Sequence, residues 1–258
     1  MGLADYYNVL SDYSPVPESE AAPKAKAAAQ KALAIDSSLP EAHAALAAAH
    51  WSLFEVADSE REFQRALELN PNFANAHHWY GLFLSWEARH PEAISHLRRA
   101  VELDPLNLQY NSNLGQVLGN ARQDDACVEQ LKKTVEMDPN YAQAHGQLRN
   151  SYRDMGKYDL SLEEWKKAST LFNDHEDLAI AEDAARAYAR SGPKASLARE
   201  IELKKQLAKR RYVDPADIAY IYAALGDKEQ TFVWLGKALA EKSGGLQVVN
   251  CSPPGAMA

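Results

Sequence analysis

The sequence predicts an all-α chain, a solenoid of antiparallel helical hairpins, on three observations. Pro71, Pro105 and Pro139 stand 34 residues apart. The segments ahead of them are near copies: Ala66-Leu67-Glu68-Leu69-Asn70, Ala100-Val101-Glu102-Leu103-Asp104 and Thr134-Val135-Glu136-Met137-Asp138. Between the prolines, small and large apolar residues recur at helical spacing and in one shared register. A fixed period of this length marks a repeat architecture, in which no hairpin buries its apolar face alone and neighbours complete one core.

Counting position 1 three residues after the proline gives six full repeats, 40–73, 74–107, 108–141, 142–177, 178–211 and 212–245. The fourth carries two extra residues, around Phe172 to Asp177. Each proline closes a helix, because it lacks the N–H a continuing helix needs. Position 7 holds Leu46, Tyr80, Leu114, Leu148, Ala184 and Ile218, and position 24 holds Phe63, Leu97, Leu131, Trp165, Ile201 and Leu235. These fill the seam between two helices. Position 8 holds Ala47, Gly81, Gly115, Arg149, Ala185 and Ala219, and position 27 holds Ala66, Ala100, Thr134, Ala168, Lys204 and Ala238. Where these are small, the helices approach closely. Gly156, Gly192 and Gly226 share position 15, the turn inside the hairpin, where a positive φ is useful.

The ends depart from the period. Leu3 to Tyr7 reads as the close of a first helix, and Pro23 to Ala34 as the second helix of a degenerate repeat over 1–37, with a longer loop, Ser11 to Glu20, between them. Gly244-Gly245 stops the last helix. The tail 246–258 contains Pro253-Pro254-Gly255 and no amphipathic capping helix. Solenoids need polar caps, so the expectation is a piece of a longer protein.

This pattern resembles the tetratricopeptide repeat (TPR), over nearly the whole chain. The 34-residue period, the small residue at 8, the Ala at 20 and 27 and the Pro at 32 are the family pattern. Arg149 departs from it at 8 and Lys204 at 27. At position 20, Ala93 fits, Ser59, Cys127 and Ser161 are small substitutes, and Leu197 is not. The fifth repeat is therefore the least regular. The resemblance implies a right-handed superhelix whose concave groove binds a protein or peptide through positions 2, 5, 9, 12 and 13. Carried over, these positions give Trp51, His78, Leu82 and Trp86, then Gln116, Asn120, Asn150 and Arg153, then Arg186 and Arg190. Aromatic groups anchor apolar side chains, amides satisfy a peptide backbone, and Arg pairs a carboxylate bidentately. The expected occupant is apolar at one end and acidic at the other. The clamp that co-chaperone repeats use for a C-terminal carboxylate is not recognisable, since position 9 holds Ala48, Leu82 and Gln116 where that clamp has Asn.

Several segments are also similar to the repeat regions of bacterial multidomain regulators: Gly2-Leu3-Ala4-Asp5, Ala76-His77-His78-Trp79-Tyr80-Gly81, Asp214-Pro215-Ala216-Asp217-Ile218-Ala219 and Leu225-Gly226-Asp227-Lys228-Glu229-Gln230. In that group such repeats follow a winged-helix domain, a Ser/Thr kinase or a nucleotide cyclase. This second resemblance implies a regulatory role and a covalent neighbour domain in a parent protein.

Composition narrows the function classes. With 36 acidic and 28 basic residues the net charge is −8, which argues against a nucleic-acid surface. The basic run Lys204, Lys205, Lys209, Arg210 and Arg211 ends a helix, where cations suit the dipole, and lacks interleaved aromatics. Cys127 and Cys251 form no metal or disulfide pattern. His43, His77 and His145 all occupy position 4, a packing register rather than a ligand triad. Trp79 and Phe83 read as core, and Trp51 and Trp86 as exposed anchors. No phosphate-binding glycine loop, G-x-S-x-G elbow or H-E-x-x-H occurs, so no catalytic group, cofactor or metal is expected. The N-terminus lacks a signal peptide's basic and apolar regions, and no apolar run spans a membrane. A cytoplasmic scaffold is the expectation, extracytoplasmic if a parent protein is membrane-tethered.

Overall fold

The computed structural model describes residue 4 and residues 18–241. Among the described residues there are twelve α-helices and no strand. They are α1 (Glu18–Ile35), α2 (Pro40–Ser52), α3 (Val56–Leu69), α4 (Ala74–Trp86), α5 (His90–Leu103) and α6 (Leu108–Asn120). There follow α7 (Asp124–Met137), α8 (Ala142–Asp154), α9 (Tyr158–Leu171), α10 (His175–Leu207), α11 (Pro215–Leu225) and α12 (Lys228–Glu241). α1 begins five residues ahead of Pro23, at Glu18. The expected helix at Leu3 to Tyr7 lies outside the described residues except for Ala4, and so do Gly244-Gly245 and the tail.

The turns explain the sequence period. Asn70, Asp104 and Asp138 take non-helical, extended dihedrals and give their N–H groups to the carbonyls of Ala66, Ala100 and Thr134. The side chains of Asn70 and Asp138 accept the N–H of Asn72 (3.0 Å) and Asn140 (2.9 Å). A short amide or carboxylate followed by Pro thus fixes the exit of one hairpin and the entry of the next. The hairpin turn at position 15 is left-handed in all six repeats. Gly156, Gly192 and Gly226 have φ of 72°, 76° and 84°, and Phe54, Ala88 and Arg122 adopt about 60° with a side chain attached. Gly192 is the non-helical residue inside α10, so the fifth hairpin turn is a kink at Gly192-Pro193 within one long helical run. The two extra residues of the fourth repeat let Asn173 take φ 55° and let Asp174 cap α10 through the N–H of Asp177, at 3.0 Å.

The chain divides into two compact bodies, residues 1–110 and 111–258. In the N-terminal body, α2 packs on α3 and α4 on α5. Phe63 stacks on Tyr80 with centroids 5.4 Å apart and touches Phe83. Gly81 is required here, because a Cβ would sit 2.7 Å from Leu97 Cγ. In the C-terminal body, α8 packs on α9 and α11 on α12, with α10 against both α9 and α11. One cluster joins Leu162, Trp165, Ile180 and Leu207, and another joins Leu197, Ile201, Ile218, Ile221 and Tyr222. Leu197 therefore fills core space at a position where the sequence pattern wants a small residue.

Ala66 and Ala100 are fully buried at helix crossings. Ala66→Leu or Ala100→Leu is expected to overpack its crossing and cost about 1–3 kcal/mol, read as a lower urea midpoint. An unchanged midpoint for both would refute the register.

Candidate binding cavity

A polar pair recurs between positions 4 and 23. His43 Nδ1 meets Glu62 Oε2 at 2.6 Å, His77 Nδ1 meets His96 Nδ1 at 2.9 Å, Gln130 Nε2 donates to Asn111 Oδ1 at 2.8 Å, and His145 Nδ1 meets Glu164 Oε2 at 2.5 Å. The three histidines also place Nε2 on the carbonyls of Ser37 (3.1 Å), Pro71 (3.0 Å) and Pro139 (3.0 Å). Position 4 is thus a hydrogen-bonded post between helix and turn, and its histidines are not gathered around a metal.

The fifth repeat breaks this series. Position 4 is Ala181, which leaves Glu200 at position 23 without its usual partner. Glu200 instead accepts Arg149 Nη2 at 2.5 Å. Arg149 is the oversized residue at position 8, and its guanidinium lies 3.7 Å above the Trp165 ring. Burial pulls the Arg149 pKa down, and the Glu200 carboxylate opposes that. Lys204, the departure at position 27, lies 3.6 Å from Asp177 and 3.9 Å from Asp217. Asp177 also accepts Trp165 Nε1 and Ser169 Oγ, each at 2.6 Å. Burial would raise the Asp177 carboxyl, but Lys204, Arg149 and these two donors hold it below the usual carboxylate range. The irregularities of the pattern thus compensate one another and form one cluster.

The cluster borders a cavity of about 540 Å³ in the C-terminal body. Arg149, Arg153, Glu200, Lys204 and Asp217 give it charge. Gln116, Asn120, Gln147 and Asn150 give amides, and Ala219, Phe232 and Leu235 give apolar wall. Arg153 donates to Asn150 Oδ1 at 3.1 Å, stands 3.9 Å from Glu200 and lies 4.4 Å over the Tyr220 ring. The Tyr220 hydroxyl donates to Asp154, and burial pushes its pKa up.

Four of the ten carried-over groove residues, Gln116, Asn120, Asn150 and Arg153, meet at this cavity. The other six lie elsewhere. Arg186 is exposed and pairs with Asp183 at 2.7 Å. Arg190, also exposed, donates to the Arg186 carbonyl at 3.2 Å. In the N-terminal body Leu82 is half-buried, and so are Trp51 and Trp86, whose rings lie 6.4 Å apart. His78 is 1% exposed and packs against the rings of Trp79 and Tyr110. This corrects its expected place on an open face: two aromatic neighbours cover it. Phe83 is core as expected, whereas Trp79 is only half-buried. Glu200, Lys204, Asp217 and Tyr220 were missed because positions 23 and 27 and the sixth repeat lay outside the carried-over set. A signal existed in the coincidence of Arg149, Ala181, Glu200 and Lys204 at positions of otherwise fixed character.

Four members of the basic run are drawn into the fold. Lys204 is buried, Lys205 donates to the Tyr222 hydroxyl at 2.8 Å, Arg210 stands 3.2 Å from Glu176 and Arg211 2.6 Å from Asp174. His50, Glu55 and Asp58 come together within ligand distance of one another. The Lys26 ammonium already occupies both Glu55 oxygens, at 2.9 and 2.6 Å, where a metal cation would sit. No described helix is long and apolar enough to cross a membrane.

No protein-family model matches the sequence, and no curated protein matches it. Solved structures do. PilW, a type IV pilus biogenesis factor, aligns with a TM-score of 0.58 at 18% identity, over 96% of this chain and 98% of its own. PilF of Pseudomonas aeruginosa aligns at 0.56 and 16% identity, over 82% and 95%. MamA aligns at 0.52 and 21% identity, over 60% and 91%. At these identities the likeness is one of fold, and the fold is that of tetratricopeptide-repeat proteins.

Proposed function

We propose that the chain is a protein-interaction scaffold and that a peptide segment of its partner seats in the cavity of the C-terminal body. One observation carries this reading: amide, charged and apolar side chains from α6, α8, α10, α11 and α12 converge on a single cavity of about 540 Å³, a size that encloses a few side chains. The amides suit a peptide backbone and the apolar wall suits its side chains. The groove residues carried over for α6 and α8 belong to this wall. The cavity is read as a binding site rather than a catalytic one. Its thiol, Cys127, is 1% exposed and contacts Ser151 Oγ at 3.1 Å, and burial raises its pKa. A thiol held protonated is a poor nucleophile. The alternative of a regulatory arm in a larger signalling protein rests on the sequence segments quoted above.

A random twelve-residue peptide library selected on the full chain tests the proposal. Enriched peptides are expected to lose binding to Ala223→Trp, which fills the cavity from α11, while the melting temperature holds. Enrichment of no peptide, or binding indifferent to Ala223→Trp, would count against it.

A further inference from the structure

The carboxylates and cations around the cavity are unequally satisfied. Glu200 is engaged by Arg149, Asp154 by Tyr220, and Asp177 by Trp165, Ser169 and Lys204. The cations keep donors in hand. Arg153 has its side chain 7% exposed. Its guanidinium reaches Asn150 and the Tyr220 hydroxyl, while its Nε is buried with no partner among the described residues. Lys204 has its side chain 9% exposed and has its nearest carboxylate oxygens at 3.6 and 3.9 Å, longer than a hydrogen bond. Buried donors left unmade are costly, and those to charged groups cost most.

Net charge sets the size of the missing acceptor. Four cationic side chains, Arg122, Arg149, Arg153 and Lys204, line the cavity against three anionic ones, Asp154, Glu200 and Asp217. Asp177, 3.6 Å from Lys204, brings the two signs level. A singly charged carboxylate adds one negative charge to that balance, and a doubly charged phosphate would add two beside Glu200 and Asp217. Next to the cations stand Phe232, Leu235 and Ala219, so the group carrying the carboxylate has an apolar neighbour.

We infer that the cavity is a carboxylate-binding subsite, in which Arg153 and Lys204 take one carboxylate of a peptide whose adjacent side chain packs on Phe232 and Leu235. This rests on the peptide-binding reading above and names its chemistry. The carboxylate comes from an acidic side chain or from a chain terminus, and the two are separable by experiment.

Three synthetic probes make the test: acetyl-Leu-Glu-Leu amide, acetyl-Leu-Gln-Leu amide, and acetyl-Leu-Gln-Leu with a free carboxyl end. Each is titrated into the full wild-type chain while the Arg153 Nε–H resonance is followed by NMR, which needs no variant. A shift produced by a carboxylate-bearing probe, with binding about tenfold or more stronger than the neutral probe, supports the subsite. Whichever acidic probe acts identifies the source. Arg153→Lys keeps the charge and loses the fork, and is expected to weaken the acting probe. Equal shifts from all three probes, or no shift from any, overturn the inference. Library peptides that bind, are blocked by Ala223→Trp, and keep their strength when each Asp and Glu is changed to its amide overturn the carboxylate alone and leave the peptide-binding reading standing.

Discussion

Glu200→Gln is expected to destabilise the C-terminal body by about 3–5 kcal/mol. Glu200 has its side chain 5% exposed and is the one carboxylate bonded to Arg149 and the one nearest Arg153. Removing its charge leaves two guanidinium groups side by side in a region of low dielectric. The loss is not that of a surface pair, which is worth about 1 kcal/mol or less, because both side chains are largely buried, at 16% and 5% exposure. Arg149→Met combined with Glu200→Leu removes both members of the pair and fills the space, and is expected to recover most of the loss. Urea unfolding at neutral pH, followed by tryptophan fluorescence and far-UV circular dichroism, measures both. A single variant within about 1 kcal/mol of wild type would mean that the cluster is screened by solvent.

Acid is expected to weaken the N-terminal body through three of its histidines. Burial pushes His78 down to about 4. His96 is pushed down to about 4 by burial and by the charge of His77, and burial also lowers His77. In the unfolded chain all three titrate near 6.5. Between these values the unfolded state binds more protons than the folded state, so stability falls as pH falls. The contribution is complete above 6.5 and gone once pH has dropped through about 4. For His78 alone, at 1% exposure, the drop from 6.5 to about 4 corresponds to about 3 kcal/mol. His96→Glu gives His77 the kind of partner that His43 and His145 already have, and is expected to reduce the acid loss. Urea midpoints between pH 7.5 and pH 5 test it, and a flat profile for the wild-type chain would refute the buried, neutral histidines.

The periodic features were legible because they are local. Pro71, Pro105 and Pro139, the Asn or Asp before them, and the glycines of position 15 act on the few residues beside them, so each leaves its mark at a fixed spacing. The position 4 to position 23 pairs join residues 19 apart across a hairpin, and helical periodicity carries no trace of them. His43, His77 and His145 were visible as a register, but not their partners. The cavity was half legible for the same reason. Gln116, Asn120, Asn150 and Arg153 were found by family position. Lys204 was seen only as a departure and Glu200 not at all, because their burial depends on Arg149 and Ala181, which lie 51 and 19 residues before Glu200 in the chain.

The histidine posts also define where a repeat begins. His43, His77 and His145 each hold a carbonyl six residues earlier, in the turn that precedes their own helix. The heritable module is therefore not a hairpin followed by its turn but a turn followed by its hairpin. A gene duplication, or a graft made in the laboratory, that cuts ahead of the proline transplants the post together with the strap it grips. A cut at the start of the helix separates them and leaves the imported histidine facing a foreign turn.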